Sequence, residues 1–99
     1  MAGSRNRLTG DDLAARAAAL PGWQLANDRL SKQFAFKDFA QALAFVNRVG
    51  AVAEEMGHHP DIQLGWGRAA IETWTHDAGG ITALDFELAR KIDQQAALK

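Results

Sequence analysis

Apolar residues recur along this chain at two spacings, and the spacing switches several times. Leu13, Ala17 and Leu20 fall on one face at helical spacing. Thr9 precedes this run and Asp12 follows three residues later, the arrangement of a capping box, while Pro21-Gly22 ends it. The period then drops to two. Trp23 and Leu25 alternate with Gln24 and Ala26, residues 27–29 turn the chain, and Leu30, Phe34 and Phe36 share one parity against Ser31, Gln33 and Ala35. This pattern predicts a β-hairpin. Lys32 interrupts its apolar face, which marks the strand as frayed or at an edge.

Over residues 38–56 helical spacing returns, with Phe39, Ala42, Leu43, Val46, Val49, Ala53 and Met56 as one stripe. Asp38 stands where an N-cap is needed, Gly50 is a tolerable weak point, and Gly57 stands where the helix should stop. Ile62, Leu64 and Trp66 then share a face at period two, which assigns Trp66 to the core. Ala69, Ile71, Thr73 and Thr75 form one face of a fourth strand. Arg68, Ala70, Glu72, Trp74 and His76 form the other, so Trp74 is expected at an interface or on exposed surface. Residues 77–80 read as a loop, Thr82 and Asp85 as a second capping box, and Leu88, Ala89, Ile92 and Ala96 as the stripe of a last helix.

The order α-ββα-ββα specifies an α+β fold of two layers: a four-stranded, mostly antiparallel sheet with helices on one face. No linker or low-complexity segment interrupts it, so residues 1–99 read as a single domain. The ββα pattern occurs twice, at roughly 23–56 and 62–98, without clear sequence self-similarity.

Composition narrows the function. The chain has 99 residues, 47% of them hydrophobic, enough for a core. A chain this short buries a smaller fraction of its surface than a larger one, so self-association would help it. With 11 basic and 12 acidic residues intermixed, the formal net charge is -1. That balance argues against a general nucleic-acid or membrane-surface binder, although it leaves a local patch open. The absence of cysteine excludes disulfides, thiol nucleophiles and zinc-thiolate sites. The N-terminal stretch MAGSRNRLTG is polar and basic with no apolar run after it, and nothing is long enough to span a bilayer. The expected location is the cytoplasm.

Candidate chemistry sits in EEMGHHPDIQLGW, which holds two of the three histidines. His58 and His59 lie just past the end of the long helix, where the helix dipole favours imidazolium. Glu54, one turn earlier, would favour it further. Pro60 keeps His59 extended, and adjacent extended residues point in opposite directions, so the two rings have different surroundings. His76 ends the fourth strand, and in an antiparallel meander that end returns close to the start of the third. All three histidines therefore converge at one edge of the sheet. Three readings remain open on these residues alone: solvated polar side chains at element ends, a metal site using Glu54, His58, His59 and His76, or metal-free acid–base catalysis. The metal reading lacks a tight motif such as H-E-x-x-H.

Glu54, three residues, His58-His59-Pro60, then Trp66, nine residues, His76 and finally Asp85 form a longer constellation. With AEEMGHHPDI, THDAGGIT, LPGW and FAFKDFAQALAFV around it, the chain resembles the pterin-4a-carbinolamine dehydratase family over nearly its whole length. The resemblance implies the fold above and a cytoplasmic enzyme working without metal or cofactor. The implied reaction is dehydration of 4a-hydroxytetrahydropterin to quinonoid dihydropterin and water, which recycles the tetrahydrobiopterin spent by aromatic amino-acid hydroxylases. It also implies a small-molecule pterin as partner, a homodimer or homotetramer, and no direct contact with nucleic acid or membrane.

By the same resemblance, His58 and His76 are the expected acid–base residues, and His59 orients substrate and shares proton transfer. Glu54 is expected to tune or orient His58, and Pro60 to shape the loop. Asp85 is a helix cap that by resemblance also lies near the pterin pocket. Trp23 is a core residue and, by resemblance, a pocket wall. Leu84 stands before Asp85 where some relatives carry arginine, which puts one substrate contact or interface in question. The alternative is a binding module of the same fold, since some members of the family are dimerisation partners of a transcription factor and others resemble Rubisco assembly factors. The assembly-type relatives tend to lose the catalytic constellation, whereas this chain keeps all three histidines.

Overall fold

The computed structural model describes residues 6–98, so residues 1–5 of the polar N-terminal stretch and residue 99 lie outside it. Helix α1 (Gly10–Ala18) leads into strands β1 (Gln24–Ala26) and β2 (Arg29–Ala35). Helix α2 (Phe39–Met56) is followed by β3 (Asp61–Gly65), β4 (Arg68–Thr73), a short 3-10 turn (His76–Ala78) and α3 (Ala83–Ala96). The strands form one sheet in the order β1-β2-β4-β3, and every neighbouring pair is antiparallel. The α+β two-layer architecture read from the periodicity is the one observed.

Strand alternation explains the core. Leu30 and Phe34 of β2 and Ala69 and Ile71 of β4 are buried on one face of the sheet, against Phe45 and Val49 of α2 and Phe86, Leu88, Ala89 and Ile92 of α3. Phe45 packs between Phe34 and Phe36, with ring centroids 4.8 and 4.9 Å away. Asn27 and Asp28 take positive φ angles of 56° and 60°, the requirement of a tight two-residue hairpin turn between β1 and β2.

Several sequence expectations need correction. The buried stripe of α2 is Ala42, Phe45, Val49 and Ala53, while Phe39 and Leu43 remain 43% and 40% exposed. Both sets fit a spacing of three and four, and only packing against Phe34 and Phe36 selects the one containing Phe45. Trp66 is 72% exposed rather than core. Strand β3 stops at Gly65, and Trp66 belongs to the turn that Gly67 completes with φ +71°, so the alternation does not reach it. Strand β2 is paired on both sides at Leu30 and Ser31, whereas from Lys32 to Ala35 only β4 pairs with it, so the edge expected at Lys32 is present there although the strand is not frayed. Lys32 is accommodated there because its Nζ reaches the Asp93 carboxylate at 2.9 Å and lies 4.8 Å from the Phe34 ring centre. Thr9 precedes α1 but its side chain makes no capping bond. Asp12, its expected partner, bonds Arg16 one turn on instead.

The caps on either side of the histidines follow expectation. The Asp38 side chain accepts from the Gln41 N–H at 2.9 Å. Gly57 ends α2 with φ +66°, a left-handed conformation that suits glycine. Thr82 and Asp85 form a reciprocal capping box at the start of α3.

Candidate active site

Gly57 turns the chain sharply out of α2, and the His58 N–H bonds back to the Ala53 carbonyl at 3.1 Å, closing the helix end. His58 and His59 then diverge, as the extended backbone before Pro60 requires. His58 goes inward and is 7% exposed, whereas the His59 side chain is 58% exposed.

Inside, His58 Nε2 lies 2.6 Å from Asp85 Oδ1. Asp85 is fully buried at the third position of α3. Its Oδ1 also accepts from the Thr73 hydroxyl at 2.6 Å, and its Oδ2 accepts from the Thr75 hydroxyl at 2.9 Å and the Thr82 N–H at 3.0 Å. Thr75 spends its one proton on Asp85, so the Thr82 hydroxyl donates to Thr75 across their 2.8 Å contact. Burial alone would push the Asp85 pKa up, but the bonds from His58, Thr73, Thr82 and Thr75 outweigh it and hold the pKa below its ordinary value. Asp85 is therefore an acceptor-only carboxylate. His58 must carry a proton on Nε2, which leaves Nδ1 as the ring nitrogen for a ligand.

Outside, His59 Nε2 pairs with Glu54 Oε2 at 2.5 Å. The expected partnership of Glu54 with His58 is thus corrected. Glu54 is exposed on the outer side of α2, toward which His59 turns, and His58 passes beneath the helix end to α3. His76 opens the 3-10 turn, which the Thr75–Gly80 bridge closes through a Thr75 N–H to Gly80 carbonyl bond of 2.8 Å. Its ring stacks on Trp74 with centroids 4.6 Å apart and planes 16° apart.

These residues meet at one cavity of about 280 Å³, whose walls include His58, His59, His76, Trp74, Thr75 and Asp77. The convergence inferred from strand order is present. Trp23 does not line it: its indole is buried in the core and donates to Asp93 at 3.1 Å. Pro60 does not line it either. It borders a larger depression of about 800 Å³ over the outer face of the sheet, beside Gln24, Gln33 and Gln63. Leu84 is half-buried at the second position of α3, its N–H satisfied by the Thr82 hydroxyl at 3.2 Å. Among the described residues, no three His, Asp or Glu side chains come together closely enough to hold a metal ion.

The sequence reading missed Thr73 and Thr75 as supports of Asp85. The available signal was two hydroxyls on the core-facing parity of β4, since buried hydroxyls need partners. It also missed the stacking of Trp74 on His76, which the shared parity of those two residues allows.

The family model described as Pterin 4 alpha carbinolamine dehydratase matches residues 6–95. A relative from Thermosynechococcus vestitus, provisionally named a pterin-4-alpha-carbinolamine dehydratase, is 47% identical over 92 residues, covering 93% of this chain and 97% of its own. One from Rubrobacter xylanophilus, named likewise, is 49% identical over 88 residues, covering 88% of this chain and 82% of its own. The crystal structure of a transcriptional coactivator/pterin dehydratase from Brucella melitensis superposes with a TM-score of 0.89 at 34% identity, covering 93% of this chain and 100% of that one. A pterin dehydratase-like protein identified as a RuBisCO assembly factor in the alpha-carboxysome superposes with a TM-score of 0.64 at 28% identity, over 78% of this chain and 89% of that one.

Proposed function

The chain belongs to the pterin 4 alpha carbinolamine dehydratase family, and we propose that it converts 4a-hydroxytetrahydropterin to quinonoid dihydropterin and water by histidine acid–base catalysis, in the recycling of tetrahydrobiopterin. One observation carries this reading. His58, His59 and His76 border a single cavity, and His58 is held there by a buried carboxylate.

The reaction needs two proton transfers. The hydroxyl on C4a leaves as water once protonated, and the proton on N5 departs as the C4a–N5 double bond forms. A base and an acid must therefore lie on one bound ring. His58, with its proton fixed on Nε2, offers Nδ1 as the base, and Asp85 balances the charge the ring acquires. His76, exposed at the cavity mouth, delivers the proton to the leaving hydroxyl and recovers one from solvent. His59, tied to Glu54, orients the substrate and shares proton transfer. The pterin ring would lie in the open cavity of about 280 Å³ that the three histidines border. The same reading places the protein in the cytoplasm as a homodimer or homotetramer.

Stopped-flow ultraviolet absorbance of freshly generated 4a-hydroxytetrahydropterin, with chelator present, tests the proposal. The folded protein should accelerate loss of the carbinolamine, and chelator should make no difference. A second reading, a binding module, is supported by the solved relatives described as a coactivator and as an assembly factor. A folded protein with no acceleration would favour it.

A further inference from the structure

We propose that Trp74 is a positioning residue for His76, its indole fixing the plane of the imidazole at the cavity mouth. The inference rests on the dehydratase reading for the role of His76 and on the geometry for everything else. His58 and His59 are each held by a carboxylate. The His76 side chain is exposed and makes no hydrogen bond among the described residues. A histidine on the surface has two side-chain torsions and several accessible rotamers. What holds this one is the flat stack on Trp74, at 4.6 Å and 16°.

Trp74 is itself held. The Arg29 guanidinium carbon lies 3.9 Å from the centre of the indole ring, and Arg29 Nη1 donates to Glu72 Oε1 at 3.0 Å. The register makes this possible. Leu30 pairs with Thr73, so Arg29, one step earlier in β2, lies opposite Trp74, and Glu72 is its diagonal neighbour. Glu72, Arg29, Trp74 and His76 thus form a continuous series across the outer face of the sheet to the cavity. As a half-exposed ion pair, Arg29–Glu72 adds little stability; its effect is to keep the guanidinium over the ring. The alternation of the chain divides the work. Thr73 and Thr75 face inward and support Asp85 and hence His58, while Trp74 and His76 lie on the opposite parity. Proton transfer requires a donor held within hydrogen-bond reach in a narrow range of orientations.

The test compares wild type, Trp74→Leu, Trp74→Phe and Arg29→Met by carbon-resolved NMR of the histidine ring protons and by single-turnover kinetics. In the wild type, the His76 ring protons should be shifted by the indole ring current. In Trp74→Leu that shift should vanish, and in Trp74→Phe part of it should remain. Turnover should fall about tenfold in Trp74→Leu, with KM within about twofold, and recover most of the loss in Trp74→Phe. If Trp74→Leu fails to fold, Arg29→Met carries the comparison, with a smaller ring-current shift and a smaller loss of turnover. His76 resonances unmoved in a folded variant, or moved with turnover unchanged, would overturn the proposal. A wild type with no dehydratase activity but a ring-current shift lost in Trp74→Leu would instead sink the dehydratase reading and leave the stack standing.

Discussion

His58 and Asp85, 27 residues apart in sequence, meet at 2.6 Å between Nε2 and Oδ1. Asp85 is also the residue that closes the capping box of α3. One carboxylate therefore anchors a helix and sets the tautomer of a histidine, which couples the site to the fold.

Asp85→Asn should damage both. Four donors converge on the carboxylate, and an amide offers only one oxygen to them. If the amide NH2 faces His58, the imidazole must move its proton to Nδ1 and loses its free nitrogen. If it faces Thr82, a buried N–H loses its acceptor. A destabilisation of ~1–3 kcal/mol is expected, read by urea unfolding, together with a fall in turnover of about 10²-fold or more. Retained turnover with the loss of stability would place the amide oxygen on His58 and the NH2 toward Thr82, leaving the His58 tautomer intact.

The same carboxylate predicts an acid limb to stability. Its folded pKa lies below the ordinary 3.8. A depressed pKa contributes stability that is fully present above the unfolded value and is lost as pH falls through the folded value. Unfolding free energy should therefore drop as pH falls below about 3.8, and more steeply in the wild type than in Asp85→Asn. Parallel acid limbs in the two proteins would contradict this.

The element order, the helix stop at Gly57 and the box at Thr82–Asp85 were legible in the sequence because each follows from local spacing or cap chemistry, and the approach of the three histidines because an antiparallel β3–β4 pair brings its open ends together. Side-chain pairing was not. Whether Glu54 meets His58 or His59 depends on which ring turns under α2, and spacing along the chain is silent on that. Phe39 and Phe45 are equally compatible with helical periodicity. Trp66 has the parity of a core residue, yet the strand ends one residue before it.

Phe45→Ala and Phe39→Ala separate those two phenylalanines. Phe45 is fully buried, so its truncation should cost ~3–5 kcal/mol. Phe39 is 43% exposed, and its truncation should cost well under half of that. Thermal or urea denaturation of the two variants decides it, and equal losses would contradict the helix orientation described here.

Glu54→Gln should leave stability almost unchanged, within ~0.5 kcal/mol, because its pair with His59 is solvent-exposed. Its effect should appear in the kinetics, mainly in KM, since His59 is assigned to orienting substrate. A large loss of stability, or kinetics unchanged in both KM and kcat, would contradict that role.

The central claim is that His58 and His76 move the protons of the dehydration. The most direct measurement is single-turnover decay of 4a-hydroxytetrahydropterin across pH 5–9 with wild type, His58→Ala and His76→Ala. The account predicts a rate that rises and then falls with pH in the wild type, as one acid and one base require, and losses of about 10²-fold or more in each variant. A flat profile, or full activity in a folded variant lacking either histidine, would contradict it.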